Sequence, residues 1–456
     1  MRSLAEALGI TRRSSVAFVG AGGKTTALSI ASRSSAPCFA AATSHLGDWQ
    51  TTFANRHVMW PAQIAELAPG PEVFDGITLF TGLPDLQPHR LRGLTVEQAA
   101  VLCRKGRAEG WPVFIEADGS RRRPLKAPAA HEPPIPPCVD LVVTVAGLSG
   151  LGCPLDDDHV HRPDRFRALA GCHQGTVVTA ELLARVLVHS DGGRKNVPPG
   201  ARHVILLNQA DNPERQGQAG HLASLLVPHV HAVVVASLAP PHELAGTEAR
   251  IHGVYGRVAG IVLAAGSSSR LGRPKQLLDY CGRPFVRAVV ETAAAAGLAP
   301  LRVVTGAHAG DVVAALDGLP VTIVHNDAWR EGQASSIRAG VAALPTDVAG
   351  SVFLMADQPH IPADLIRALV GAHVSDHHVF VAPAVGGVRT SPVLCDRSAF
   401  PDLLALAGDA GGRDVIARRL ADTPGAGTLC LVPWPDARIL LDVDTEEDYR
   451  RLRGSC

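Results

Sequence analysis

Two cations and a glycine-rich turn follow an apolar run in the second half of the sequence. The run Val258 to Ala265 has the length and β-branched content of a buried strand, and Gly266 begins a small polar loop that carries Arg270 and Lys275. Glycine and serine let backbone N–H groups approach an anion closely, and two fixed cations can neutralise its charge. The sequence therefore predicts a polyphosphate site here. An ordinary strand-to-helix turn with solvated charges is the alternative.

Carboxylates stand at the ends of two further apolar runs. Asp357 follows the run Ser351 to Ala356, and Asp442 and Asp444 lie in a later run of the same kind. Parallel strands present their carboxyl ends at one edge of a sheet, so we expect Asp442 or Asp444 to meet Asp357 there. Because Mg²⁺ prefers a few carboxylate oxygens together with substrate phosphates, the sequence predicts a two-carboxylate Mg²⁺ site.

The combination of a cationic glycine turn with acidic strand ends is what nucleotidyl transfer requires. Such a site holds a nucleoside triphosphate and an acceptor phosphate in line. Mg²⁺, Arg270 and Lys275 would offset the charge that builds on the α-phosphate and on the departing pyrophosphate. Arg270, Lys275 and Asp357 are therefore the candidate catalytic residues.

A pair of serines precedes an apolar-periodic helical pattern between these elements. Ser335 or Ser336 occupies the usual place of an N-cap, so we expect one of them to cap the helix. The free N–H groups of that helix would then face the site.

A second glycine loop lies near the N-terminus. The apolar run Val16 to Val19 leads into this loop, and a helical pattern follows it. The candidate phosphate-binding residues are Gly20, Gly22, Gly23, Lys24 and Thr25. The loop N–H groups would face the anion, the lysine would reach the terminal phosphates, and the threonine could bind Mg²⁺. Phe18 stands where the full P-loop motif has its first glycine, so the loop looks more like the shortened form of Mur-ligase-type ATP-binding domains. A mere tight turn is the alternative.

Charged residues follow the next strand pattern, Val113 to Ile115. Asp118 comes at the end of this pattern, where it could complete a Mg²⁺ site with Thr25. The basic residues Arg121 to Arg123 and Lys126 could hold a second anion. A solvated charge cluster is the alternative.

The overall pattern is that of α/β domains. Apolar runs of strand length alternate with Ala- and Leu-rich helical patterns, which predicts mostly parallel sheets. A chain of 456 residues is too long for one ordinary core, so two or three domains are expected. Turn-forming and polar residues place the boundary near 245–256. The predicted domains are residues 1–245 and 256–456.

The composition excludes several classes of function. Acidic and basic residues balance at 43 each, which argues against a nucleic-acid-binding stripe or a polybasic membrane anchor. There is no apolar window of about 18 residues, and the N-terminus lacks the apolar core of a signal peptide. The 9 cysteines contain no C-x-x-C pair, which is typical of reduced thiols. We therefore expect a cytoplasmic protein that acts on small molecules, without a disulfide framework, a zinc site, or a nucleic-acid or membrane partner.

The first half resembles a known family. The matching segments are V-G-A-G-G-K-T-T, I-E-A-D-G-S-R and L-L-N-Q-A-D. They are similar to those of the YqeC-like accessory proteins for selenium-dependent molybdenum hydroxylases, over about residues 10 to 240. The resemblance implies a P-loop-like α/β domain that could bind ATP or GTP and serve the maturation of an apo molybdenum hydroxylase.

Residues 257 to 456 resemble the MobA-like nucleotidyltransferases, and more narrowly the molybdenum cofactor cytidylyltransferases. The matching segments are L-A-A-G-S-S-S-R-L-G-R-P-K-Q-L-L, H-N-D-A-W-R-E-G-Q-A-S-S-I-R-A-G, M-A-D-Q-P, G-D-A-G-G-R and L-D-V-D-T-E-E-D. The resemblance implies a Rossmann-like, mostly parallel sheet with nucleotide on one half and acceptor on the other. It implies that Asp357 and Asp444 bind the metal and that Arg270 and Lys275 bind the triphosphate. The remaining nucleotide-binding residues that it implies are Leu263, Ala264, Ala265, Gly266, Gly306, Gln333 and Ser335. The acceptor-binding residues that it implies are Arg389, Pro392, Gly408, Asp409, Gly411 and Arg413.

The resemblance also bears on the substrates. Guanylyl-transferring relatives typically have L-A-G-G at the opening loop, where this chain has Ala265, and A-D-Q-P looks like the cytidylyl branch. The implied reaction is transfer of CMP from CTP to molybdenum-bound molybdopterin, with release of pyrophosphate. Thr390 and Ser391 stand where relatives often have Gly-His, which leaves the acceptor open. Guanylyl transfer, a related acceptor, or a non-catalytic chaperone that delivers the cofactor are the alternatives.

Overall fold

The computed structural model describes residues 3–60, 76–238, 249–267, 273–345, 348–376, 378–408, 410–422, 427–443 and 445–454. The chain divides into two compact units, Met1–Tyr255 and Gly256–Cys456. Strands alternate with helices in each unit, and the predicted mixed α/β fold with a mostly parallel sheet is confirmed. No helix within these described ranges is long and apolar enough to cross a membrane.

The first unit is built from short helices around a parallel sheet. Its helices are α1 (Leu4–Leu8), α2 (Lys24–Arg33), α3 (Val96–Glu109), α4 (Pro163–Ala170), α5 (Ala180–Val188) and α6 (Pro213–Leu226). Its strands are β1 (Ser15–Gly20), β2 (Cys38–Ala42), β3 (Leu46–Gly47), β4 (Arg56–Met59), β5 (Ile77–Thr81), β6 (Arg90–Leu91), β7 (Val113–Glu116), β8 (Leu125–Lys126), β9 (Leu141–Gly147), β10 (Val160–His161), β11 (Arg202–Asn208) and β12 (Ala232–Leu238). The next strand, β13 (Ala249–Ala264), contains the boundary between the units.

The main sheet of the first unit has the order β12-β11-β9-β1-β7-β2-β5-β4, with every pair parallel. Successive side chains of β1 point to opposite faces, so Val16 and Phe18 join one core cluster while Ala17 and Val19 join another. A strand that is covered on both faces reads as a continuous apolar run, as this one does. It delivers Gly20 to the carboxyl edge of the sheet.

The second unit has a mixed sheet. Its helices are α7 (Phe285–Ala295), α8 (Ala309–Ala315), α9 (Gln333–Ala342), α10 (Ala363–Asp376), α11 (Phe400–Leu404), α12 (Gly412–Asp422) and α13 (Glu446–Arg453). Its further strands are β14 (Asp279–Tyr280), β15 (Arg283–Pro284), β16 (Leu301–Thr305), β17 (Thr322–His325), β18 (Val348–Met355), β19 (Phe380–Val385), β20 (Val388–Arg389), β21 (Val393–Asp396) and β22 (Leu429–Pro433).

Strand β13 lies between β16 and β18 and is parallel to both. Its Ala264 pairs with Thr305 and its Leu263 pairs with Met355, so the three strands end at the same edge. Strand β17 extends the parallel side, whereas β21 is antiparallel to β18 and leads to β19, β20 and β22. The loops after β13, β16 and β18 therefore emerge side by side.

Helix α9 begins earlier than the sequence pattern predicts, so the prediction that Ser335 or Ser336 caps it is wrong. The N-cap is Gly332, with φ 100° and ψ −178°, a conformation that glycine adopts without steric cost. Ser335 is the third residue of the helix, where its Oγ donates to the Gly332 carbonyl oxygen at 2.9 Å. Asn326 donates to the hydroxyls of both serines, at 2.9 and 3.0 Å.

The prediction of uniformly reduced cysteines is also wrong, because Cys281 is disulfide-bonded. The other described cysteines are thiols: Cys38, Cys103, Cys138, Cys153, Cys172, Cys395 and Cys430. A disulfide between residues without a C-x-x-C spacing leaves no local signature, so only the folded chain reveals it.

Candidate functional site

A cleft of about 610 Å³ lies at the carboxyl edge of β13, β16 and β18 in the second unit. The predicted site residues in its wall are Leu263, Ala264, Ala265, Gly266, Lys275, Gln333 and Asp357. The first four come at the end of β13, Gln333 opens α9, and Asp357 follows β18. The parallel register thus brings segments that are distant in sequence to one cleft, as expected at the carboxyl edge of an open α/β sheet.

Two predicted nucleotide-binding residues, Gly306 and Ser335, are not part of this wall. A Cβ at Gly306 would come 2.6 Å from the Cβ of Trp329, so glycine allows the Trp329 side chain to lie close to the end of β16. Trp329 itself lines the cleft. Ser335 is only 3% exposed and is held by Asn326, whereas the neighbouring Ser336 reaches the wall.

The cationic side of the cleft begins with Lys275, which opens a short 3-10 turn and lines the wall. Gln276 donates from Nε2 to the carbonyl oxygen of Gly266 at 3.0 Å, which ties this turn to the start of the glycine loop. Arg270, the other predicted cation, lies outside the described residues. Arg330 adds a guanidinium to the wall, 4.3 Å from the ring centre of the preceding tryptophan.

A second cleft, of about 480 Å³, shares part of its wall with the first. The residues that line both clefts are Leu263, Gln333, Met355 and Asp357. The predicted acceptor residues that line it are Arg389, Gly411 and Arg413. Pro392 and Gly408 are not part of its wall, although Thr390, Ser391 and Gly412 are, and Asp409 lies outside the described residues.

Several acidic side chains line this second cleft. Asp442 lines it together with Asp357, and the Oδ1 atom of Asp442 accepts a hydrogen bond from Gln358 Nε2 at 2.8 Å. Asp444, the predicted metal ligand, lies outside the described residues. The carboxylates that the described chain brings to the same cleft as Asp357 are therefore Asp414 and Asp442.

The glycine loop of the first unit follows β1. Gly20, Gly22 and Gly23 have φ values of 93°, 79° and 119°, and α2 begins at Lys24. A Cβ at Gly22 would come 2.3 Å from the backbone nitrogen of Gly147, so this turn requires glycine. Lys24 folds back over the loop, and its Nζ donates to the carbonyl oxygen of Gly20 at 2.6 Å.

The acidic partners in this unit differ from those predicted. Thr25 donates to Glu116 Oε2 at 2.8 Å and not to Asp118, and the Mg²⁺ site of Asp118 with Thr25 stays a prediction. Asp118 instead accepts from the Gly20 N–H and lies 3.3 Å from Lys24 Nζ and 2.6 Å from Lys126 Nζ. Asp118 forms ion pairs with these two buried lysines, because a buried carboxylate without a partner would be unfavourable.

Lys126 is also not available for a second anion, contrary to the prediction. Its side chain is only 1% exposed, and its Nζ lies 2.8 Å from Glu132 Oε2. Hydrogen bonds from Arg162 and Lys126 outweigh the opposing effect of burial and lower the pKa of Glu132 to about 2. Burial has the larger effect at Glu116 and raises its pKa, although Lys24 and the Thr25 hydroxyl act against this.

Each half of the chain matches a known protein family. Residues 16–164 match the YqeC protein family. The YqeC protein of Escherichia coli K12 is 29% identical over 231 residues, which cover 49% of this chain and 86% of that protein. The first half is therefore a YqeC domain.

The second half matches the MobA-like NTP transferase domain over residues 260–423. Nicotine blue oxidoreductase of Paenarthrobacter nicotinovorans is 34% identical over 204 residues, which cover 43% of this chain and 96% of that protein. The chain belongs to the MobA-like NTP transferase family. Among solved structures, Rv0371c of Mycobacterium tuberculosis H37Rv is 30% identical, with a TM-score of 0.38, and the match covers 44% of this chain and 100% of that one.

The MobA-like NTP transferase domain presents oxygen ligands that suit Mg²⁺. Asp357 and Asp442 line one cleft, and Mg²⁺ is usually held by one or two carboxylates together with substrate phosphates and water. No group of three or more His, Cys, Asp or Glu side chains that could hold a metal occurs among the residues that the structure describes. The donor set therefore fits a metal that arrives with a phosphate-bearing substrate.

Sequence reasoning missed several wall residues of the MobA-like NTP transferase domain. They are Gln276, Trp329, Arg330, Ser336 and Gln358. Each lies within one or two residues of a predicted site residue or in a motif that carries the family resemblance. What the pattern could not give is which side chain of such a motif turns inward, because that depends on the neighbouring strand and helix.

Proposed function

We propose that the MobA-like NTP transferase domain transfers CMP from CTP to the phosphate of molybdenum-bound molybdopterin and releases pyrophosphate. The observation that carries the proposal is the shared wall, since Asp357 and Gln333 line both clefts. Ligands in the two clefts would meet beside Asp357. A reaction that joins two substrates needs such a meeting point, because holding both in line removes most of the entropic barrier.

In the proposed reaction, an oxygen of the acceptor phosphate attacks the α-phosphorus of CTP, and the bond to pyrophosphate breaks on the opposite side. Lys275 and Arg270 would neutralise the triphosphate and the departing pyrophosphate. Asp357 and one of Asp442 and Asp444 would hold Mg²⁺, which supplies further charge neutralisation when bound. The arginines of the second cleft would hold the acceptor phosphate.

The choice of CTP is supported by Ala265, which stands where guanylyl-transferring relatives typically have glycine. A nucleotide panel tests it: pyrophosphate release is measured with molybdopterin cofactor and each of CTP, GTP and ATP. We expect CTP to support a rate at least about tenfold above the others, a discrimination typical of a pocket that reads polar groups of its ligand. A higher rate with GTP would contradict the choice of base. Cofactor binding without pyrophosphate release from any nucleotide would instead indicate a non-catalytic chaperone.

For the YqeC domain we propose binding of ATP or GTP at the loop Gly20–Thr25, in support of the maturation of an apo molybdenum hydroxylase. Three observations support this proposal. The loop glycines have left-handed φ values, α2 begins directly after the loop, and Lys24 lies at its start. Glycine loops that precede a helix N-terminus are suited to phosphate because their N–H groups point at the anion. Lys24 would leave Gly20 to reach a bound phosphate.

Lys24→Ala is the variant that tests the loop. We expect it to weaken binding of ATP or GTP at least about tenfold by calorimetry, because it removes a charge-assisted hydrogen bond to phosphate. Lys105→Ala is the matched control, since Lys105 lies on α3 and pairs with Glu109 at 3.4 Å. If Lys24→Ala does not fold, Thr25→Ala replaces it as the test variant, because it keeps the buried ion pairs of Asp118. Unchanged nucleotide binding or hydrolysis in folded Lys24→Ala would rule out the phosphate loop.

A further inference from the structure

Two thiols of the YqeC domain lie beside each other. Cys103 lies on α3, is only 1% exposed and belongs to a core cluster, and Cys138 packs against the same cluster from the loop before β9. The Cys103 thiol donates a hydrogen bond to the Cys138 sulfur. Cys138 is partly exposed, whereas Cys103 is buried. A thiol that solvent can reach is therefore backed by a second thiol that solvent cannot reach.

Contacts of neighbouring residues hold the two cysteines together. Arg107 lies one turn after Cys103 on α3, and its Nη2 atom donates to Asp140 Oδ2 at 3.2 Å. Asp140 lies two residues after Cys138 and also accepts from the backbone N–H of Ser15, the first residue of β1, at 3.1 Å. The loop that carries Cys138 is therefore tied to α3 and to β1. These contacts fix its position within one helical turn of Cys103 by interactions that do not involve sulfur.

The surroundings give the two thiols different reactivity. The hydrogen bond from Cys103 and the guanidinium groups of Arg107 and Arg104 lower the pKa of Cys138 to about 7, although burial acts against them. The same hydrogen bond, burial and the charge of Asp140 raise the pKa of Cys103. The thiolate is the nucleophilic form of cysteine, and reactive cysteines combine a low pKa with partial exposure. Cys138 is therefore the thiol suited to attack, and Cys103 is the thiol that stays protonated beside it.

We propose that Cys103 and Cys138 form a redox-active dithiol, which a peroxide oxidises to a disulfide and a thiol reductant restores. The Cys138 thiolate attacks one oxygen of hydrogen peroxide, the O–O bond breaks, and the departing hydroxide takes up a proton, which leaves a sulfenic acid on Cys138. The sulfur of Cys103 then attacks the sulfenic sulfur, loses its proton and displaces water, so that the S–S bond forms. Overall, the two thiols lose their hydrogens and one peroxide is reduced to water.

This site is separate from the sites already proposed. Asp140 ties the pair to Ser15 at the start of β1, whereas the phosphate loop begins at Gly20 at the end of this strand. The inference therefore goes beyond the proposed functions of both domains and does not depend on either.

The test treats the full-length chain with hydrogen peroxide at pH 7 and follows each cysteine by mass spectrometry of its peptides. We expect the peptides of Cys103 and Cys138 to become linked with loss of the two thiol hydrogens, and dithiothreitol to separate them again. Cys172 is the comparison within the same protein, because it is a partly exposed thiol of the first unit that packs against a different core cluster. Cys138 should react at least about tenfold faster than Cys172, because a larger fraction of it is thiolate.

Serine variants separate the roles of the two thiols, with the melting temperature as a check of folding. Cys103→Ser removes the second thiol, so oxidation of Cys138 should stop at the sulfenic acid, which dimedone traps. Cys138→Ser should leave Cys103 reduced under the same treatment. Cys172→Ser is the matched control and should form the disulfide at the rate of wild type.

The measurement on wild type decides the matter even where a variant does not fold. A wild type in which peroxide produces no disulfide between Cys103 and Cys138 overturns the inference. So does a Cys138 that reacts no faster than Cys172, or a Cys138→Ser variant in which Cys103 is oxidised as fast as in wild type.

Discussion

Asp357→Asn is expected to lower the rate of pyrophosphate release by about a thousandfold or more, because it would remove the charge of the proposed metal ligand at the point where the two proposed substrates would meet. The substitution keeps the shape of the side chain, and Asp357 lies in the wall common to both clefts. Binding of molybdopterin cofactor should stay close to that of wild type. Pyrophosphate release and cofactor binding are measured on the same preparations.

Two controls make this prediction specific. Asp311→Asn changes an exposed acid in the first turn of α8 and should leave the rate unchanged. Chelation of divalent metal should bring the wild type down to the rate of Asp357→Asn, and added Mg²⁺ should restore only the wild type. A variant that retains full activity, or that loses activity together with cofactor binding, would contradict the role given to Asp357.

Lys275→Ala is expected to lower the same rate by about a hundredfold, because an electrostatic stabiliser of the triphosphate is worth several kcal/mol in a site of this kind. Lys275→Arg should recover part of the activity, since it keeps the charge but presents it on a planar fork. The rates are measured over a range of CTP concentrations, which separates weaker nucleotide binding from slower transfer.

Arg273→Ala is the matched control for Lys275. Arg273 lies two residues earlier, but its Nη2 is 2.7 Å from Oε2 of Glu446. Its guanidinium carbon lies 5.2 Å from the ring centre of Tyr449. Its removal should therefore affect α13 and leave the rate of transfer near that of wild type. If the two variants were equally impaired, a general effect of charge in this segment would explain the data better than a contact of Lys275 with phosphate.

The strand pattern predicted the main elements because each strand is encoded locally. The apolar run before Gly266 is long, rich in β-branched residues and ends at a glycine, and these features can be read from neighbouring residues. A run of this kind predicts a strand that is buried on both faces, as β13 is before this glycine. The same reasoning placed Asp357 at a strand end. Since parallel strands share an edge, the local pattern was enough to predict that these segments line one cleft.

Pairing between distant side chains could not be predicted in this way. Thr25 selects Glu116 over Asp118 because Asp118 is already held by Lys24 and Lys126, and the loop pattern carries no information about that competition. The start of α9 was missed for a related reason. Serines are common N-caps, but the preceding Gly332 adopts a backbone conformation that begins the helix before them.

The four residues that line both clefts have a consequence for what leaves the enzyme. Leu263, Gln333, Met355 and Asp357 would be in contact with a product that joins a nucleotide to an acceptor through bridging phosphates. Such a molecule is a bivalent ligand whose two ends are tethered at a fixed distance, so it would be retained longer than either substrate alone. Release of the dinucleotide product, or its direct transfer to a receiving protein, would then be the rate-limiting step of turnover.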